Sequence, residues 1–140
     1  MMLQSTFKIL FLVAAVLLMP CNIAMAQSPN ISGTWTGRVA QNIGSSDYTV
    51  ILTISSKGPD IQNAETNYPE LNCGGKLTRI GASKGYVFYT ETITRGGQDS
   101  GGSCINGTIT MAMAGEKLAW GWFGSHGGQI YVAWSNLVRK

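Results

Sequence analysis

The chain has 140 residues, with ten Lys and Arg against seven Asp and Glu and a formal net charge of +3. Its basic residues are scattered, with no run and no stripe interleaved with aromatics, so nothing points to nucleic acid as a partner. The length suits one folded domain with a modest core.

The first 26 residues read as a segment outside that domain. Lys8 supplies the charge of an n-region, residues 9–19 (ILFLVAAVLLM) are unbroken apolar, and Ala24-Met25-Ala26 gives the small-x-small pattern of a cleavage site. This is the layout of a secretory signal peptide, 1–26, with the mature domain over 27–140. The apolar run is too short to span a bilayer comfortably, so the mature chain is expected to carry no membrane span. Cys21 follows the apolar run, where a lipoprotein signal would place its cysteine, but Pro20 stands where a small residue belongs. Cys21 is therefore expected to leave with the signal, with a lipid anchor as the alternative. The expected location is periplasmic or secreted.

Cys73 and Cys104 remain. An even number of cysteines in an exported chain predicts a disulfide, because that compartment is oxidising. A bridge closing a loop of about 30 residues contributes roughly 3 kcal/mol on the chain-entropy view.

After residue 27 the sequence alternates with period two between clusters of Gly, Asn, Asp and Ser. This predicts strands near 31–41, 47–56, 61–67, 72–80, 86–94, 105–114, 117–123 and 129–139. Turns are expected at Gly44-Ser45-Ser46, Lys57-Gly58-Pro59-Asp60, 81–85, Gly115-Glu116 and Ser125-His126-Gly127-Gly128. The longest connection, 96–103 (GGQDSGGS), reads as a mobile loop pinned by Cys104. Tyr48, Val50, Leu52 and Ile54 share one face of the second strand. Ile105, Ile109, Met111 and Met113 share a face in the sixth, and Leu118, Trp120 and Trp122 in the seventh. In the last strand Ile130, Val132, Trp134 and Val138 form the more apolar face, opposite Tyr131, Ser135 and Arg139. One apolar face per strand with short links predicts an all-β fold. We expect an eight-stranded antiparallel up-and-down barrel, with a β-sandwich as the alternative.

Gly33-Thr34-Trp35 matches the G-x-W signature at the first strand of the calycin group, the lipocalins and avidin-like barrels, and the chain resembles that group in strand order. The resemblance implies that a basic residue on the last strand packs across this tryptophan at the closed end, and Arg139 stands in the matching place. Cysteines in these two positions do not carry over from the lipocalins or avidins, and the avidin pattern for biotin contacts is missing. The segment 68–75 (YPELNCGG) resembles small exported bacterial domains with no assigned activity, which implies no chemistry.

Candidate chemistry is sparse. His126, the lone histidine, sits in a Gly-rich turn and is expected to be an exposed turn residue rather than a base or ligand. No Cys/His cluster has metal spacing, and neither metal nor cofactor is expected. Glu91, in mid-strand, is expected to face outward and pair with Arg95 or Lys76; the alternative is an inward carboxylate that binds a polar ligand. No serine has a nucleophile setting, and no two carboxylates are placed as acid and base. Asn30-Ile31-Ser32 and Asn106-Gly107-Thr108 are formal glycosylation acceptors.

The aromatics recur at alternate positions. In a small barrel they are first of all core. If the interior is unfilled, Tyr48, Tyr86, Phe88, Trp120, Trp122 and Trp134 would line an apolar pocket at the open end. The expected function is therefore non-catalytic binding of a small apolar or amphipathic molecule in the barrel mouth. The alternative is a protein-interaction module, such as an inhibitor of an extracellular hydrolase.

Overall fold

Strands that alternate apolar and polar residues must bury one face, and this chain does so by rolling its sheet closed. The computed structural model describes residues 30–44, 47–56 and 62–140. The strands are β1 (Gly33–Gln41), β2 (Tyr48–Ser56), β3 (Gln62–Tyr68), β4 (Cys73–Ser83), β5 (Tyr86–Arg95), β6 (Gly107–Ala114), β7 (Lys117–His126) and β8 (Gln129–Arg139). Each pairs antiparallel with the next, and β8 returns to β1, giving a closed eight-stranded up-and-down barrel. This architecture is compatible with a calycin-like fold, and the sandwich alternative is set aside. Closure leaves no free sheet edge to invite aggregation. Among the described residues, helix is limited to two short 3-10 turns, Pro69–Leu71 and Gln98–Ser100, and no helix is long and apolar enough to cross a membrane. The proposed leader over 1–26, with Cys21, lies outside the described residues, as do Ser45, Ser46 and the 57–60 connection.

One end of the barrel is packed solid. Trp35, Leu52, Leu118 and Leu137 have no solvent exposure there. The Trp35 indole N–H donates to the Ile31 carbonyl at 2.9 Å, which draws the incoming chain, with Ile31 itself buried, against the barrel end. The Arg139 guanidinium lies 4.3 Å from the centroid of the Trp35 ring and donates to the Ser32 carbonyl at 2.7 Å. The basic residue across the first-strand tryptophan is thus present.

The β1–β8 seam pairs Trp35 with Arg139 and Thr36 with Val138, then Ala40 with Trp134 and Gln41 with Ala133. Between these runs the Ser135 hydroxyl donates to the Arg38 carbonyl at 2.7 Å. A Cβ on Gly37 would stand 2.6 Å from that hydroxyl oxygen, so a glycine lets the two strands approach. Asn42 extends the seam past β1: its N–H donates to the Val132 carbonyl, and its side-chain oxygen accepts from the Val132 N–H.

The seam also decides which face of β8 turns inward, and it reverses the expectation from hydrophobicity. Ala133, Ser135 and Leu137 are buried, whereas Ile130 is 54 % and Trp134 51 % exposed, with Val132 and Val138 also outside. Arg139 can cover the Trp35 ring only if the odd-numbered positions turn inward. A one-residue choice flips every side chain of a strand. Trp120 pairs with Ser135 and occupies the interior beside it, so small residues serve β8 better there. A second correction concerns β5, whose inward residues are Val87, Tyr89 and Glu91. Tyr86 and Phe88 lie on the outer wall, stacked on each other with ring centroids 6.5 Å apart.

Replacing Arg139 by Ala is expected to lower stability by about 1–2 kcal/mol, since it removes a cation–π contact and a charged hydrogen bond together. Arg139→Lys, with no planar fork, should recover less than half of that loss in urea denaturation.

Candidate functional site

At the opposite end the interior is not filled. β1, β3, β5 and β7 finish here and β2, β4, β6 and β8 begin, leaving a cavity of about 270 Å³. Its wall includes Tyr48, Tyr68, Glu91, Trp120 and Trp122, with Ile93 and Tyr131 nearer the rim. Three of the six residues proposed for ligand contact, Tyr48, Trp120 and Trp122, therefore meet at one cavity. Tyr86, Phe88 and Trp134 point away from it, for the reasons of strand parity given above.

Glu91 corrects the expectation of outward pairing. It is 2 % exposed and points into the barrel, away from Lys76 and from Arg95. Arg95 instead donates to the Asn67 side-chain oxygen and the Cys73 carbonyl. One carboxylate oxygen of Glu91 accepts from the Thr66 and Tyr68 hydroxyls, the latter at 2.9 Å. The other accepts from the Trp122 indole N–H at 2.7 Å. Among the described residues no ion pair reaches this carboxylate. Burial raises its pKa above the ordinary carboxylate value, and the three hydrogen bonds only oppose that shift. Burial, and then the Glu91 charge, push the Tyr48 hydroxyl up to about 12. The same two causes hold Tyr68 well above its ordinary value, so both phenols stay protonated and act as neutral donors.

Glycines create this arrangement. Gly107 pairs with Glu91 across β5 and β6, and a Cβ there would stand 2.4 Å from the Trp122 ring. A Cβ on Gly124 would stand 2.3 Å from the same ring. The indole thus lies against two bare stretches of backbone, crosses β6, and reaches the carboxylate on β5. Gly75, facing Glu91 from β4, leaves room for its side chain: a Cβ there would be 3.0 Å from the Glu91 Cγ. Trp120 adds a further polar group, since its buried indole N–H has no hydrogen-bond partner among the described residues.

The rim is braced. Cys73 and Cys104 form the expected disulfide, with Cα atoms 6.3 Å apart, which ties the start of β4 to the 96–104 segment. That segment is no featureless loop. Gln98 N–H donates to the Cys104 carbonyl, Cys104 N–H to Gly96, and Gly102 N–H to Gly97, around the 3-10 turn. Gln98, Ser103, Cys104 and Ile105 contribute the adjoining part of the cavity wall. Across the mouth, the Glu70 carboxylate accepts from the Thr49 N–H at 3.0 Å and its hydroxyl at 2.9 Å, which fixes the Pro69–Leu71 turn to β2. The Thr49 N–H is the leading cause of the lowered Glu70 pKa. His126 is exposed at the end of β7, on the cavity margin. Among the described residues no group of three or more His, Cys, Asp or Glu could hold a metal ion.

Thr66 and Tyr68, which bond Glu91, and Gly107 and Gly124, which lie against the Trp122 ring, were not singled out by the sequence reading as site residues. The signal for β3 was weak because Thr66 and Tyr68 alternate with Glu65 and Asn67, leaving little contrast between the two faces.

A raised pKa in the fold means that protonation of Glu91 favours folding. That contribution is complete below the ordinary carboxylate value and is lost as pH rises through the raised one. Thermal unfolding of wild type and Glu91→Gln across this range is expected to show the variant gaining on the wild type as pH rises. A constant difference would show that Glu91 does not titrate in this way. Comparison of the chain with protein-family models, with curated proteins and with solved structures finds no match.

Proposed function

We propose that this is a non-catalytic, exported binding protein that takes a small apolar or amphipathic molecule into the open mouth of its barrel. The observation that carries this reading is the unfilled cavity, walled by Tyr48, Trp120 and Trp122 at one end of an otherwise packed interior. Core side chains normally close such space, since empty volume forfeits dispersion contacts. Its size, just below the usual range for ligand pockets, suits a compact molecule. The predicted leader and the disulfide support a periplasmic or secreted location. Native mass spectrometry against a library of small amphipathic molecules is expected to retain at least one of them. Ile93→Phe, which places a ring in the cavity, should weaken that complex about tenfold or more. A library with no retained member, or a complex indifferent to Ile93→Phe, contradicts the proposal.

The 96–104 segment gives specific support to a second reading, a protein-interaction module such as an inhibitor of an extracellular hydrolase. Gln98, Asp99 and Ser100 are exposed on a turn fixed by the disulfide and by backbone hydrogen bonds, so little entropy remains to be lost on docking. On this reading, inhibition in a panel of extracellular hydrolases disappears when those three residues are replaced by Gly. Inhibition that survives the replacement assigns it to another surface.

A further inference from the structure

The cavity holds a carboxyl group with no opposite charge beside it among the described residues. Its wall includes Glu91 but, among those residues, no Lys or Arg. A buried carboxylate in a protein is ordinarily paired, because desolvation penalises the ion unless an opposite charge offsets it. Here the neutral donors Thr66, Tyr68 and Trp122 take its place beside the carboxylate. Ionised carboxylates offer about four acceptor positions, and these donors occupy three of them. The vacant position belongs to the oxygen bonded by Trp122.

Aromatic residues stand in the same wall as this carboxylate. The Tyr48 and Tyr68 rings meet edge to face with centroids 6.0 Å apart, and Trp120 and Trp122 share the same cavity. Aromatic faces carry negative electrostatic potential and attract cations, more strongly when water is excluded. A carboxylate and a ring of aromatics favour the same ligand charge, and both disfavour an anion.

We infer that the ligand of this cavity is a small organic cation, a protonated amine on an apolar body, whose ammonium group donates to the free position on Glu91 while its body packs against Tyr48, Trp120 and Trp122. This inference rests on the ligand-cavity reading and adds the charge of the ligand to it. Binding supplies an opposite charge, which offsets the burial that raises the Glu91 pKa. A cavity of about 270 Å³ accepts a body the size of one aromatic ring with a short alkyl arm.

Three probes with the same number of carbons and different charge test it: phenethylamine, 2-phenylethanol and phenylacetate, each titrated into the oxidised protein and followed by tryptophan fluorescence. The amine is expected to bind about tenfold or more tightly than the alcohol, and the acid least of all. Glu91→Gln should weaken the amine about tenfold or more and leave the alcohol within roughly twofold. If the alcohol binds as well as the amine, if the acid binds best, or if Glu91→Gln leaves the amine unchanged, the cation inference fails while the cavity reading stands. If none of the three binds, both fail. Should Glu91→Gln not fold, the ranking of the three probes on the wild type decides alone.

Discussion

Everything in this barrel is arranged around the contact of Arg139 with Trp35. Eight antiparallel strands make a wall whose ends must meet, and the meeting of β8 with β1 fixes both register and facing. With the guanidinium over the indole, Leu137, Ser135 and Ala133 follow into the interior, and the larger apolar residues of β8 are turned outside. Packing at the closed end and space at the open end both reflect that choice, because it sets Leu137 among the packed residues and turns only the small Ser135 and Ala133 inward nearer the start of β8.

Strand positions were legible in the sequence because turns and alternation agree. β8 begins and ends as expected, and β2 differs by one residue at its start. Facing was legible where contrast between faces was high, as for Tyr48, Val50, Leu52 and Ile54 against threonines. It was misread on β8, where both faces carry apolar residues and average hydrophobicity favours the wrong one. No local pattern could have corrected this, since the deciding partner is about a hundred residues away on β1. Burial of Glu91 was hidden for a related reason. A charged residue in a strand is normally solvated, and only the three-dimensional gathering of Thr66, Tyr68 and Trp122 makes its inward placement tolerable.

The candidate site shows how emptiness is held open. Trp122 could have collapsed into the cavity, but Gly107 and Gly124 give its indole a flat bed along the wall, and Glu91 anchors its nitrogen there. Glycine in a strand usually weakens it. In this protein that weakness coincides with the place where side-chain volume would close the mouth. The polar and apolar parts of the cavity are consequently one assembly: the tryptophan that lines it is oriented by the carboxylate that charges it.

The disulfide acts on one end of this assembly. The segment contributing Gln98, Ser103 and Ile105 to the cavity wall is stapled to β4 through a single covalent cross-link. Cys73 is buried where β4 begins beside Tyr68 of β3, so the cross-link is anchored in the wall at one side of the mouth. The bridge is thus a local brace: its weight falls on the lip of the barrel, where the segment meets β4, and not on the end closed by Trp35.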